Sequence, residues 1–440
     1  MSQTQTPPQL DDGSLDRPWY RQITGYQWLV LAVASAGWVF DTYENQIFNI
    51  TSGPLLQDLL HTAANSPAVK YYRDLLLGVF LVGGAAGGIG FGVLADRWGR
   101  GMSMILSILV YAVFSALTAA AHSITQVAVL RFLVAVGTGG EWAVAASLVA
   151  EVFPERARAH ASGIFHATSV IGVGAAALAG MAVGSNWHVA YLIGIAPAAL
   201  VLVVRIYIRE PERWQKVHDQ KEPAADSPGR ARLGEVWRDP IYRRRAILGL
   251  LLAAIGLAGY WGVFVAGQNL VESMLRAHGV AADTARSKAQ FVYGTVQNIG
   301  GAVGMIAMGR LCAWLGRRRA FVVMQLGALI ITPLTCFAPS TYGQLLLLLP
   351  VFSFFLLGMH AGYAVYFPEL FPTRQRATGA GLCFNGGRLV AAPMLWFSAW
   401  LKARPGMDLR TAVSLLGLIY IVGIMLVLMM PETKGVALQD

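Results

Sequence analysis

The sequence predicts an all-α membrane protein with twelve transmembrane helices in two six-helix bundles. Three observations lead there. Of the 440 residues, 55% are apolar and only 13% charged, against about 25% charged in a soluble domain. The apolar residues fall in twelve blocks of roughly 20, the length a helix needs to cross the hydrocarbon. Three short motifs also occur twice, once in each half and at a nearly constant offset, which argues for duplication of a six-helix unit. Twelve crossings consume most of the chain and leave no room for a large catalytic domain, so an enzyme is not expected.

In chain order the spans are predicted at 26–48, 75–94, 102–121, 125–149, 160–183, 189–208, 246–268, 290–309, 320–338, 343–366, 378–400 and 412–430. The polar stretch before them lacks the charged-then-apolar order of a cleavable signal, so the first helix stays in the mature protein. The organisation that follows is a cytoplasmic N-terminal tail (1–23), a first bundle (24–208), a cytoplasmic linker (209–245), a second bundle (246–431) and a cytoplasmic C-terminal tail (432–440). Placing the N-terminus inside puts most of the 34 Lys and Arg on the same side, as the positive-inside rule requires. That predicts a multi-pass protein of the cell (inner) membrane with both termini cytoplasmic. It also accounts for the net charge of +10 without nucleic acid as a partner. The 48 glycines suit helices that pack closely inside a bilayer. The three cysteines (Cys312, Cys336, Cys383) show no ligand spacing.

The duplicated motifs lie at helix ends. Glu151-Val-Phe-Pro-Glu-Arg-Ala-Arg158 recurs as Glu369-Leu-Phe-Pro-Thr-Arg-Gln-Arg376. Gly92, Gly99 and Arg100 recur as Gly309, Gly316 and Arg317, and Pro211-Glu212 as Pro431-Glu432. Asp96, Arg97 and Arg100, with Glu151, Arg156, Arg158 and their repeats Glu369, Arg374 and Arg376, are read as gate salt bridges at the inner helix ends. Ala313 stands where Asp96 has its counterpart, so the gate is expected to be asymmetric. No phosphate-cradling loop, nucleophile–base pair or metal cluster appears, and no cofactor is expected. The driving force is then an ion gradient.

Gly92-Val-Leu-Ala-Asp96-Arg97-Trp-Gly99-Arg100 resembles the loop signature of the major facilitator superfamily. Arg131 with Gly137-Thr-Gly139-Gly140-Glu141-Trp142 is similar to its second signature, and Pro431-Glu432-Thr433-Lys434-Gly435 to the tail signature of its sugar porters. Gly140-Glu141-Trp142, the run from Phe367 to Gly379, and Gly387-Arg388 look most like the acid/proton symporters, which carry sialic acid, aromatic acids and other organic anions. The glutamine-rich seventh-helix pattern of sugar porters is absent; Gly259-Tyr260-Trp261-Gly262 stands there. The resemblance implies a secondary transporter working by alternating access, with protons and a small organic anion as partners in a lipid bilayer, functional as a monomer. Rivals are a proton-coupled sugar or polyol porter, a drug exporter, and a transport-dead receptor of the same fold.

Charges at the centre of a spanning helix cost at least about 2.5–3.5 kcal/mol, and so are paired or face a cavity. Asp41 and Glu44, at i and i+3, share a face of the first helix. The resemblance implies that Asp41 pairs with Arg131, either as a proton-coupled switch or as a permanent structural ion pair. Glu141 is a second proton site, a substrate contact or a buried neutral carboxyl. Arg388 either binds a substrate carboxylate through its planar fork or locks helices. His166 falls where sugar porters place a sugar-binding glutamine; it binds substrate or is merely packed, and the same alternatives hold for His360. Tyr260, Trp261, Gln297, Asn298, Tyr363 and Asn385 complete the candidate substrate set, with Tyr293 as a further aromatic.

Overall fold

A computed structural model describes residues 18–63, 66–184, 186–219, 231–402 and 404–439. The first 17 residues of the expected N-terminal tail, residues 220–230 of the expected linker and the last residue lie outside the described residues. Among the described residues there is no strand and no cluster of His, Cys, Asp or Glu able to hold a metal ion.

Among the described residues, ten helices are long and apolar enough to span a membrane. In chain order, with two more, they are α1 (Gly25–Leu60), α2 (Pro67–Trp98), α3 (Arg100–Thr118), α4 (Ile124–Val152), α5 (Glu155–Val183), α6 (Trp187–Val204), α7 (Pro240–Ala277), α8 (Ala282–Leu315), α9 (Arg317–Phe337), α10 (Tyr342–Leu370), α11 (Arg376–Lys402) and α12 (Leu409–Met429). The two additions, α1 and α11, are the helices that carry Asp41, Glu44 and Arg388. Short helices at Glu212–Asp219 and Ala231–Arg238 lie between α6 and α7.

Several helices run past the apolar blocks because polar turns extend them. Thr24 and Gln27 form a capping box that starts α1, and Thr341 with Gln344 does the same for α10. Ser66, Ser123 and Asp239 cap α2, α4 and α7 with their side-chain oxygens, satisfying backbone donors that a helix start leaves free. Hydropathy is blind to such ends.

Glycines set the packing. A side chain on Gly87 or Gly139 would strike the backbone of the facing helix in the α2–α4 pair, and one on Gly300 or Gly304 would do so in α8–α10. Close backbone approach of this kind binds helices where the hydrophobic effect gives none. The halves meet along two repeat-related seams, α2 against α11 and α5 against α8. Large apolar side chains such as Leu178, Met181 and Leu347 are exposed on the outer surface. Two segments flanking the seam, Tyr260–Phe264 in α7 and Val292–Gln297 in α8, are wound as π-helix, a wide turn that often accompanies function. The hydroxyls of Tyr260 and Tyr293 join them at 3.2 Å.

Candidate functional site

Between the halves lies a cavity of about 250 Å³. α1 contributes Trp38, Asp41, Thr42, Asn45 and Gln46; α2 contributes Phe80; α5 contributes His166 and Ser169. From the second half come Tyr260, Trp261, Asn298, His360, Phe384 and Arg388. Asp41 and Arg388 are the charged side chains among the lining residues.

Arg388 lies 5.3 Å from the centre of the Phe384 ring, which its guanidinium overlies. Among the described residues it makes no salt bridge. Its charge acts on Asp41 across the cavity, and Thr138 of α4 stands beside that carboxyl. Oδ2 of Asp41 has no hydrogen-bond partner among the described residues. The cavity thus holds a cation and a carboxyl that sense one another without bonding.

Arg131 is not Asp41's partner, contrary to the expected pair. It sits behind the cavity wall, sandwiched between Phe48 and Phe80 at 4.4 and 4.3 Å, and donates from Nη1 to the backbone carbonyl of Glu44 at 3.3 Å. The reason is helical geometry: positions three apart point about 60° away from each other. Asp41 faces the cavity, while Glu44 turns toward α3, where Ser115 donates to its carboxylate at 2.7 Å. Glu141 does not line the cavity. It is fully buried against Gly37 of α1, whose missing side chain makes room for the carboxyl, and neither oxygen has a partner.

Of the expected substrate set, Arg388, His166, Tyr260, Trp261 and Asn298 line the cavity. Gln297, Tyr363 and Asn385 do not; each donates to a backbone carbonyl. Gln297 donates to Phe264 at 3.1 Å, Tyr363 to Leu252 at 3.2 Å, and Asn385 to Gly139 at 3.1 Å, the last bond crossing from α11 to α4. Sequence reasoning missed Trp38, Thr42, Asn45 and Gln46. Their helical spacing from Asp41 was the available signal.

A charged lattice closes the end of the molecule where the described parts of both chain ends gather. Glu151 of α4 accepts from Arg100 at 2.6 and 3.1 Å and from Arg376 of the second half at 2.8 Å. Glu369 accepts from Arg317 at 2.6 and 2.8 Å and faces Arg158 of the first half at 3.6 Å. Asp96 bonds Arg100 at 2.9 Å and accepts from the Ala377 and Thr378 amides and the Thr378 hydroxyl across the seam. Ala313 offers nothing comparable. Arg97 and Arg156 form no ion pair among the described residues, and Arg374 reaches only Glu235, at 3.9 Å. Arg156 and Arg374 are exposed and Arg97 is half-buried, whereas Arg100, Arg158, Arg317 and Arg376 are buried.

Glu432 caps α9 through the Arg317 and Arg318 amides, at 2.9 and 3.1 Å, beside Gly316 at φ 91°. Its structural counterpart is Glu210, which accepts from the Arg100 and Gly101 amides at 2.7 and 2.9 Å beside Gly99 at φ 101°. The motif repeat had matched Glu212 instead. Partial burial opposes ionisation of Glu432, but backbone N–H donors from Arg317, Lys434, Arg318 and Thr433 hold it below the usual carboxylate range. The tail meets this lattice: the Gln439 carbonyl accepts from Arg376 at 2.9 Å and from the Thr373 amide at 3.0 Å.

The Major Facilitator Superfamily model matches residues 33–392. The chain belongs to that superfamily. It is a multi-pass membrane transporter of the major facilitator fold and not an enzyme. A protein of Cupriavidus pinatubonensis named a probable 4-methylmuconolactone transporter is 29% identical over 430 residues, 96% of this chain and 94% of its own. The cis,cis-muconate transport protein of Acinetobacter baylyi is 30% identical over 321 residues, 72% of this chain and 75% of its own. The sialic acid transporter NanX of Escherichia coli is 27% identical over 375 residues, covering 83% and 87% of the two chains. Among solved structures, the proton:xylose symporter XylE superposes with a TM-score of 0.74 at 15% identity, over 93% of this chain and 97% of that one. At that identity the likeness concerns the fold alone. The relatives named for acids match the resemblance to acid transporters, while the likeness to a sugar symporter is one of fold.

Proposed function

We propose that this transporter imports a small organic anion together with protons. The observation that carries the reading is Arg388, a guanidinium facing an aromatic-walled cavity with no salt-bridged carboxylate. A planar fork of this kind binds a carboxylate bidentately and keeps its charge. The relatives named for muconate, methylmuconolactone and sialic acid support an acidic substrate.

Coupling follows from the pair across the cavity. Ionised Asp41 neutralises Arg388 at a distance; a proton on Asp41 removes that attraction and leaves the guanidinium to the substrate carboxylate. Proton and anion therefore enter together. Glu44 and Glu141 are the neighbouring carboxyls a proton can also occupy, and Arg131 anchors Glu44. Residues 24–208 and 246–431 act as rigid bundles joined by the 209–245 linker, in the inner membrane, as a monomer. Both termini and the linker are cytoplasmic, so the charged lattice is the cytoplasmic gate, here closed.

Uptake into proteoliposomes tests the substrate class. Labelled benzoate is expected to enter under an inward proton gradient and to be displaced by organic acids but not by hexoses or polyols. Arg388→Lys and Arg388→Gln are expected to weaken uptake affinity at least tenfold. Unchanged affinity in both variants, or displacement by neutral sugars, would contradict the reading.

A further inference from the structure

The cavity contains a second polar feature that the anion reading does not use. His360 of α10 lines it, is 5% exposed, and neither ring nitrogen has a hydrogen-bond partner among the described residues. The carbonyls of Leu356 and Leu357, one turn back, are close but not in bonding geometry. A buried polar group left without a partner is costly, so such a group in a ligand cavity points to a ligand. Aromatic neighbours hold the ring in place: Tyr260 and Tyr363 meet it edge-on at 5.9 and 5.6 Å.

His166 approaches from the opposite half, near enough for the two rings to interact electrostatically. Its Nδ1 accepts from the Trp142 indole at 3.4 Å, which puts the proton of the neutral ring on Nε2. His166 thus offers a donor, and His360 one donor and one acceptor. Neither ring forms an ion pair among the described residues.

Charge sets the other limit. With Asp41 protonated, Arg388 is the single charge among the lining residues, so one substrate carboxylate is matched and a second is not.

We propose that His360, with His166, forms a subsite for an uncharged oxygen of the substrate, a hydroxyl or a carbonyl, while Arg388 holds its one carboxylate. This rests on the anion reading and narrows it to flat monocarboxylates bearing a neutral oxygen. His166 and His360 belong to different halves, so such a substrate bridges the two bundles.

The test is equilibrium binding to the purified full-length protein of benzoate, 3-hydroxybenzoate, 4-hydroxybenzoate and terephthalate. The better hydroxybenzoate is expected to bind at least tenfold tighter than benzoate, about 1.4 kcal/mol, and terephthalate more weakly than either. His360→Phe keeps a ring but no nitrogens; it is expected to erase that gap, and a cooperative thermal unfolding transition reports that the variant is folded. His360→Asn, with a donor and an acceptor, is expected to keep part of the gap. Arg388→Gln is expected to weaken all four. A wild type that does not distinguish benzoate from the hydroxybenzoates, a gap that survives in His360→Phe, or preferred binding of terephthalate overturns the subsite while the anion site stands. Failure of all four acids to bind overturns both.

Discussion

Arg376, in the second half of the chain, donates at 2.8 Å to the Oε1 of Glu151 in the first half, the same oxygen that Arg100 holds at 2.6 Å. The repeat-related site is looser, since Arg158 stands 3.6 Å from Glu369. Each glutamate binds the arginine of its own half tightly and reaches for one from the other half. Only the Glu151 site makes that second contact a short hydrogen bond. Removing one partner of a buried ion pair costs about 3–5 kcal/mol, because the other charge stays buried.

Glu151→Gln is therefore expected to open the gate, shifting the open-to-closed ratio by about two powers of ten. Glu369→Gln is expected to do less. Spin labels at the exposed positions Arg156 and Arg374 report the separation of the halves. Equal distance distributions in the two variants would contradict the ranking.

Asp96 reinforces the tight site, and Ala313 leaves the loose one bare. Asp96→Asn keeps one acceptor oxygen but turns an amide donor toward the Thr378 donors, so the same labels are expected to move apart. Ala313→Ser is expected to leave them in place.

The fold was legible because apolar blocks of spanning length and a duplicated motif both survive in the primary sequence. Asp41, His166 and Arg388 were legible as candidates because embedded polar groups are costly and so are seldom idle. The helix faces were not legible. α4 and α10 are apolar on nearly every side, and nothing in the order of residues says that Tyr363 and Asn385 turn to backbone carbonyls while His360 turns to the cavity. The Asp41–Arg131 expectation failed for the same reason: three residues, less than one turn, separate Asp41, facing the cavity, from Glu44, facing α3.

The Glu432 cap carries a pH signature. Its carboxyl sits below the usual range in the folded chain, so its contribution is fully present above the unfolded pKa and is lost as pH falls through the folded one. Glu432→Gln is expected to lower the melting temperature at neutral pH, and the deficit is expected to shrink as pH drops below about 4. A deficit independent of pH would assign the loss to shape and not to charge.

The tail closes over the gate through a main-chain carbonyl, so side-chain substitution at Gln439 spares that bond and truncation removes it. Deleting residues 436–440 is expected to widen the distance between the halves, whereas Gln439→Ala is not. Site-specific labels on the truncated and substituted chains distinguish the two.

In the proposed coupling, a proton on Asp41 frees Arg388 for the substrate anion. Its most direct test compares proton-driven uptake with counterflow exchange for Asp41→Asn in proteoliposomes, beside Glu44→Gln and Glu141→Gln. Asp41→Asn mimics the protonated state permanently. It is expected to lose uphill accumulation while counterflow of substrate continues at a comparable rate, and the other two variants are expected to retain both. Full proton-driven accumulation by Asp41→Asn would contradict the account, and loss of accumulation in Glu141→Gln alone would move the coupling site to α4.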